Sequence, residues 1–155
     1  MSDIATQLIQ DVGSFRFDWA VGSPGLATDE GLQTSVIISL FTDRRADADD
    51  LPASAAGSDR RGWWGDSYAD VEGDRIGSRL WLLAREKQTT ATLLKARDFA
   101  AEALQWLIDD GLARAINVKA EWQAGRQGVL LLTVEIVRAG KPVNKYQFEA
   151  FWKGN

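Results

Sequence analysis

The chain has no cysteine and no histidine. Without cysteine there is neither a disulfide framework nor a thiolate metal site. Without histidine the commonest general base and metal ligand is missing, which removes Ser-His-Asp, Cys-His and zinc-protease chemistry. No apolar run approaches the roughly 18–20 residues of a membrane span. The N-terminal MSDIATQLIQD lacks the basic-then-apolar layout of a signal peptide, so the expectation is a protein made and assembled inside the cell. The glycines form no G-x-G-x-x-G after a strand and no Walker-type G-K-[ST] loop, so nucleotide binding has no support. Excess positive charge is also lacking: the net charge is −4, against the basic balance of a general nucleic-acid binder.

What is present suits one soluble globular domain over residues 1–155, with 45% hydrophobic and 26% charged residues. Residues 1–14 read as a tail-like polar opening with at most a helical turn. Phe15, Phe17 and Trp19 alternate with Arg16 and Asp18, a strand ending near Val21. Gly22-Ser23-Pro24-Gly25 is a loop. Leu32, Val36 and Leu40 recur every four residues and predict a helix over 29–42, capped by Thr28 or Asp29; the run Val36, Ile37, Ile38 keeps a strand open there. Residues 43–58 are charged and rich in small residues, a surface loop. Ser78 is placed to cap a short helix carrying Leu80, Trp81 and Leu83. The clearest element runs from a Thr89 or Thr90 cap to about Asp110, with Gly111 as its stop. Leu93, Ala96, Ala100, Ala103, Leu104 and Leu107 form its apolar stripe.

Three strands follow. Ile116, Val118, Ala120 and Trp122 share one face of the first; Leu130, Leu132, Val134 and Ile136 one face of the second; Tyr146, Phe148, Ala150 and Trp152 one face of the third. Short turn-rich links make an antiparallel meander the simplest path. The expected fold class is α+β: an antiparallel sheet of three to four strands packed under two to three helices, in a single domain.

Asp59 to Gln88 holds three of the seven tryptophans and five arginines. Trp63 and Trp64, between Gly62 and Gly65, cannot both be core residues of a regular strand, where neighbours face opposite ways. The pairs Arg44-Arg45 and Arg60-Arg61 bracket the flexible loop. Arginine and tryptophan are the types enriched at interface centres, and they also pack locally, guanidinium on indole; both readings stand at this point. The carboxylates Asp47, Asp49, Asp50, Asp66, Asp70, Glu72 and Asp74 sit in polar loops and read as solvated rather than as a glycosidase pair. DADD and DVEGD lack the order of a calcium loop. No catalytic set, no cofactor site and no metal site is expected. Tyr146 and Phe148 read most simply as core, but their strand lies near the end of the sequence and is expected at a sheet edge, which invites a partner strand.

The runs SVIISLFTDRRA, DRRGWWGD, GDRIGSRLWLLAREKQT and AAEALQWLIDDG resemble the phage Mu-type baseplate wedge protein family of contractile-tailed phages and Mu-like prophages. The resemblance spans about Leu26 to Trp152. A more distant one is to the small wedge subunit of T4-type baseplates. It implies a structural role: binding the larger wedge subunit, neighbouring wedge copies and the tail sheath or hub, in six-fold arrangement, with no nucleic acid and no membrane. It also implies assembly in the host bacterial cytoplasm and a final place in the virion tail baseplate. The wider group has a Glu-Pro-Arg tripeptide after its long helix; in Asp110-Gly111-Leu112-Ala113-Arg114 only Arg114 corresponds. On chemistry and placement, Arg60, Arg61, Trp63, Trp64 and Asp66 are expected to anchor the larger subunit, and Arg44, Arg45 and Arg114 to face a partner. The strands at 129–137 and 145–152, with Tyr146 and Phe148, are expected to offer an edge to sheath or a neighbour. The alternative class is a carbohydrate-binding or lysozyme-like tail protein acting on the cell wall.

Overall fold

The computed structural model describes residues 3–4, 6–11, 14–19, 21–22, 25–26, 28–29, 31–51, 59–126 and 128–151. Ser23, Pro24, Trp152 and the 52–58 part of the expected surface loop lie outside the described residues. The chain divides into two compact units, Met1–Ile38 and Ser39–Asn155, taken here in turn.

In the first unit, β1 (Asp3–Ile4) pairs with β6 (Thr28–Asp29), β2 (Thr6–Asp11) with β3 (Ser14–Trp19), and β4 (Val21–Gly22) with β5 (Gly25–Leu26), all antiparallel. The alternation at 15–19 is a strand, as expected. Residues 6–11 differ from the expectation: they form β2 rather than a helical turn. The row of backbone N–H and C=O groups on β3 needs a partner, and the chain just upstream supplies it across a two-residue link, Asp11 pairing with Ser14. Thr28 and Asp29 likewise pair with Ile4 and Asp3. The following helix, α1 (Leu32–Phe41), begins one turn later, Ser35 N–H donating to Gly31 O at 2.9 Å. Its Val36 and Ile37 are buried, and burial outweighs the weak helix propensity of β-branched residues.

The division of the chain falls within α1. In the second unit, Ser39 and Leu40 are buried, and Ser39 Oγ accepts a hydrogen bond from Trp106 Nε1 at 3.0 Å. A 3-10 turn at Ala48–Asp50, another at Trp64–Tyr68 and a third at Leu80–Arg85 mark a stretch with no regular periodicity. Then comes α2 (Thr90–Leu104), whose Thr89 cap accepts the Thr92 amide at 3.2 Å. After one turn residue at Gln105 the short α3 (Trp106–Asp109) follows, and Gly111 takes a φ of 71°. The predicted single helix to Asp110 is thus one continuous path with a hitch at Gln105.

The sheet is a meander in the order β7 (Ala115–Trp122), β8 (Val129–Val137), β9 (Asn144–Phe151). Its register sets Ala120 beside Leu132 and Leu132 beside Phe148, so the three predicted apolar rows share one face. Helix α2 and the 80–85 turn lie on that face: Leu83, Ala96 and Leu130 form a buried cluster, with Leu80, Leu93, Phe99, Ala120, Trp122 and Ala150 packed around it. Small residues at Ala96, Ala100 and Ala103, all buried, let the helix backbone approach closely, while each fully buried leucine contributes about 1.5–3 kcal/mol. The opposite face carries the ion pairs Lys119–Glu121, Lys145–Glu135 and Arg126–Glu149. The fold is α+β. One expectation is corrected: 129–137 cannot offer an edge, because β8 is paired on both sides; the edges are β7 and β9. No helix among the described residues is long and apolar enough to cross a membrane.

One close approach fixes the second unit. Gly77, at φ 95°, runs so near the α1 exit that a Cβ would sit 2.3 Å from Thr42 O. Gly73, at φ 84°, has nothing within 4 Å. Gly77→Ala is expected to cost about 2–5 kcal/mol, combining strain with overpacking, and Gly73→Ala only about 1–2 kcal/mol. Urea denaturation of both variants distinguishes a needed close approach from a merely left-handed turn.

Candidate functional site

Residues 43–51 and 59–79 are stitched together by backbone. Ser78 N–H donates to Thr42 O at 2.9 Å and Arg44 N–H to Ser78 O at 3.0 Å, making a parallel bridge between Asp43 and Ser78. Ala46 N–H donates to Arg60 O at 2.9 Å, and Ala46 is fully buried. The Ser78 hydroxyl donates to Leu40 O at 2.5 Å and accepts the Leu80 amide at 3.2 Å, but the N-cap position of the 80–85 turn falls to Arg79, not to Ser78 as expected. The described part of the expected surface loop, 43–51, is therefore tied down rather than free.

The arginines are largely consumed within the fold. Arg60 Nε donates to Ala46 O at 2.7 Å. Arg61, at φ 54°, pairs with Asp43 at 2.7 Å and lays its guanidinium over the Trp81 ring, 4.5 Å from the centroid. The expected guanidinium-on-indole stack thus exists, with Trp81 as its indole rather than Trp63 or Trp64. Trp81 Nε1 in turn donates to Arg44 O at 2.8 Å, and Arg44 pairs with Glu102 at 3.4 Å. Arg45 is exposed, with one long 3.5 Å contact to Arg61 O.

The tryptophan pair is not part of a strand. Trp63 is extended and Trp64 opens the 3-10 turn, so the two rings lie on one side, 5.5 Å apart, instead of on opposite faces. Trp63 lies over Gly65, where a Cβ would come within 2.1 Å of its ring; only glycine permits that seat. Tyr68, one turn on, meets Trp64 edge-to-face at 6.3 Å. Trp63 is 46% exposed, Trp64 74%, Tyr68 80% and Val71 67%. Asp66 is a clasp for the loop, its Oδ1 accepting the Ile76 amide at 3.1 Å.

The remaining predicted residues are placed elsewhere. Arg114 N–H donates to Val137 O at 2.7 Å beside β7, with its side chain exposed and, among the described residues, in no ion pair. Phe148 is buried, edge-to-face with Phe41 at 5.4 Å, and Tyr146 stacks on it at 6.4 Å. Phe148 is thus core and Tyr146 half-buried, on a strand that lies at the sheet edge as expected. Among the described residues, no group of three or more carboxylates converges to hold a metal ion.

The family model described as Phage protein GP46 matches residues 32–143. The chain belongs to that family. Baseplate protein gp46 of Escherichia phage Mu is 50% identical over 140 residues, covering 90% of this chain and 92% of that protein. Mu-like prophage FluMu protein gp46 of Haemophilus influenzae is 38% identical over 152 residues, covering 98% of each. The GP46 match contains the whole stitched segment and the tryptophan pair and stops before β9.

Three residues of this GP46 chain were missed by sequence reasoning. Tyr68 and Val71 extend the exposed aromatic surface; their only sequence signal is turn-like spacing from Trp64 inside a polar run. Arg79 is the third. It pairs with Asp50 at 2.8 Å and with Glu102 at 2.9 Å, and stacks on Phe99 at 4.6 Å. Asp50, expected as solvated, is instead only 16% exposed at its side chain, and Asp47 pairs with Arg75 at 3.2 Å. Burial works to lower the Arg79 pKa, but the hydrogen bond to Glu102 and the charges of Glu102 and Asp50 outweigh it and raise it. Its stabilising contribution is therefore complete below its ordinary value and is lost only as pH rises through the raised one, in strong alkali. Arg79→Gln is expected to lower stability by about 1–3 kcal/mol, read as a shifted urea midpoint.

Proposed function

We propose that this GP46-family chain is a non-enzymatic structural component of a contractile phage or phage-like tail baseplate. In this reading it docks a larger baseplate subunit through Trp63, Trp64, Tyr68 and Val71, and offers the outer strands β7 or β9 to a neighbouring copy or the sheath. The relative at 50% identity along nearly its whole length, named a baseplate protein, carries the assembly reading. The docking face is supported by the exposure of two adjacent indoles and a tyrosine on one turn, since aromatic side chains in a contiguous exposed patch are typical interface anchors. The edges follow from antiparallel geometry: Gln123 N–H donates to Val129 O, so alternate backbone groups at Ile116, Val118 and Ala120 of β7 point away from β8. Arg60 and Arg61 serve as positioning residues for the segment rather than as contacts. Assembly takes place in the host cytoplasm, and the assembled copy resides in the tail.

Co-expression with the larger baseplate subunit, followed by size-exclusion chromatography and mass determination, tests this. A complex of defined stoichiometry is expected, and Trp64→Ala should abolish it while changing stability by less than about 0.5 kcal/mol, as for an exposed side chain. An intact complex with Trp64→Ala would remove the patch from the reading. Loss of folded circular dichroism would show that the indole is needed for folding.

A further inference from the structure

The stitched segment sorts its charges unequally. Most of its cations are used internally: Arg60 on Ala46 O, Arg61 on Asp43, Arg75 on Asp47, Arg79 on Asp50 and Glu102; Arg45 is exposed and reaches only Arg61 O, at 3.5 Å. The stretch Asp66–Asp74 contains no lysine or arginine. Its Asp70, Glu72 and Asp74 are exposed and, among the described residues, pair with no cation. These carboxylates directly follow the aromatic turn in the sequence. Asp70 and Glu72 flank Val71, and the Asp74 amide donates to Val71 O at 3.1 Å. No convergent metal site exists among the described residues to take up the charge.

We propose that the surface of Trp63, Trp64, Tyr68 and Val71, rimmed by Asp70, Glu72 and Asp74, recognises a basic segment of its protein partner, one bearing lysine or arginine beside apolar side chains. This rests on the docking reading above and goes beyond it by fixing the partner's sign of charge. An exposed indole face attracts a guanidinium or ammonium, and desolvation on docking strengthens that attraction. The carboxylate rim supplies the counter-charges, steers the encounter and disfavours acidic competitors. An arginine-led contact is less favoured, because Arg44, Arg60, Arg61, Arg75 and Arg79 already hold partners within the chain.

The test uses the full chain and two fluorescently labelled synthetic peptides of equal length and apolar content, one bearing lysine and arginine, the other glutamate. Anisotropy titrations at low salt are expected to show binding of the basic peptide and none of the acidic one. Binding should weaken on the order of tenfold between ~0.05 and ~0.3 M salt. The combined variant Asp70→Asn, Glu72→Gln, Asp74→Asn should weaken it by a similar factor, and Trp64→Ala should weaken it without changing the salt dependence per remaining charge. Glu121→Gln, on the far sheet face, serves as the neutralisation control and should leave binding unchanged. Equal binding of both peptides, binding by neither, or an undiminished affinity in the triple variant would overturn the proposal. If the co-expressed complex nevertheless forms and still requires Trp64, only the charge assignment falls; if the complex ignores Trp64, the docking reading falls with it.

Discussion

The second unit depends on a short length of backbone meeting backbone, where Thr42–Arg44 runs beside Gly77–Ser78. Ser78 sits at its centre, fully buried and satisfied on both sides by main-chain groups and, through its hydroxyl, by Leu40 O. Buried polar groups are costly unless paired, so this seam is committed to one geometry. From it follow the positions of the neighbours on either side. Arg79, the next residue, reaches Asp50 and Glu102; Arg44 reaches Glu102 from the other strand of the bridge. With Arg60 held at Ala46 as well, residues 61–76 are pinned at both ends, and the aromatic turn is a short arc on a fixed base.

Elements governed by local rules were legible in the sequence. The Thr89 cap, the Gly111 stop and the period-two rows of the three strands depend on a few adjacent residues, and the register places those rows on one face. Elements governed by distant pairing were not. Whether a strand is central or at an edge depends on which partners it finds, and β8 finds two. Asp50 and Arg79 are 29 residues apart, Asp43 and Arg61 18 apart; no pattern within either run announces the pair. The N-terminal strand β2 is legible only through its need to satisfy β3. The tryptophan pair shows an intermediate case: its exposure follows from sequence, but the shared side of the two rings follows from a 3-10 turn and a glycine seat at Gly65.

The internal use of arginine changes the sign of the surface that remains. Composition shows Arg-rich blocks around the tryptophans, yet most of those arginines already hold partners within the chain, and the 66–74 stretch that follows exposes carboxylates. A charged residue contributes to recognition only where its partner is still to come. Within this segment that condition is met by the acidic residues, which is why counting residue types misjudges the chemistry a neighbour meets. The polar sheet face makes the same point: its lysines and glutamates are paired across and along the strands, leaving little net charge to steer anything.

The acidic rim has a second consequence, for the free subunit before it is incorporated. The chain exposes two indoles and a phenol at one turn, and a valine three residues on, a combination prone to self-adhesion. Two copies approaching patch to patch would bring two sets of the same three unpaired carboxylates together, and like charges at such a contact repel. With the molecule already net negative, that repulsion favours a dispersed pool of subunits.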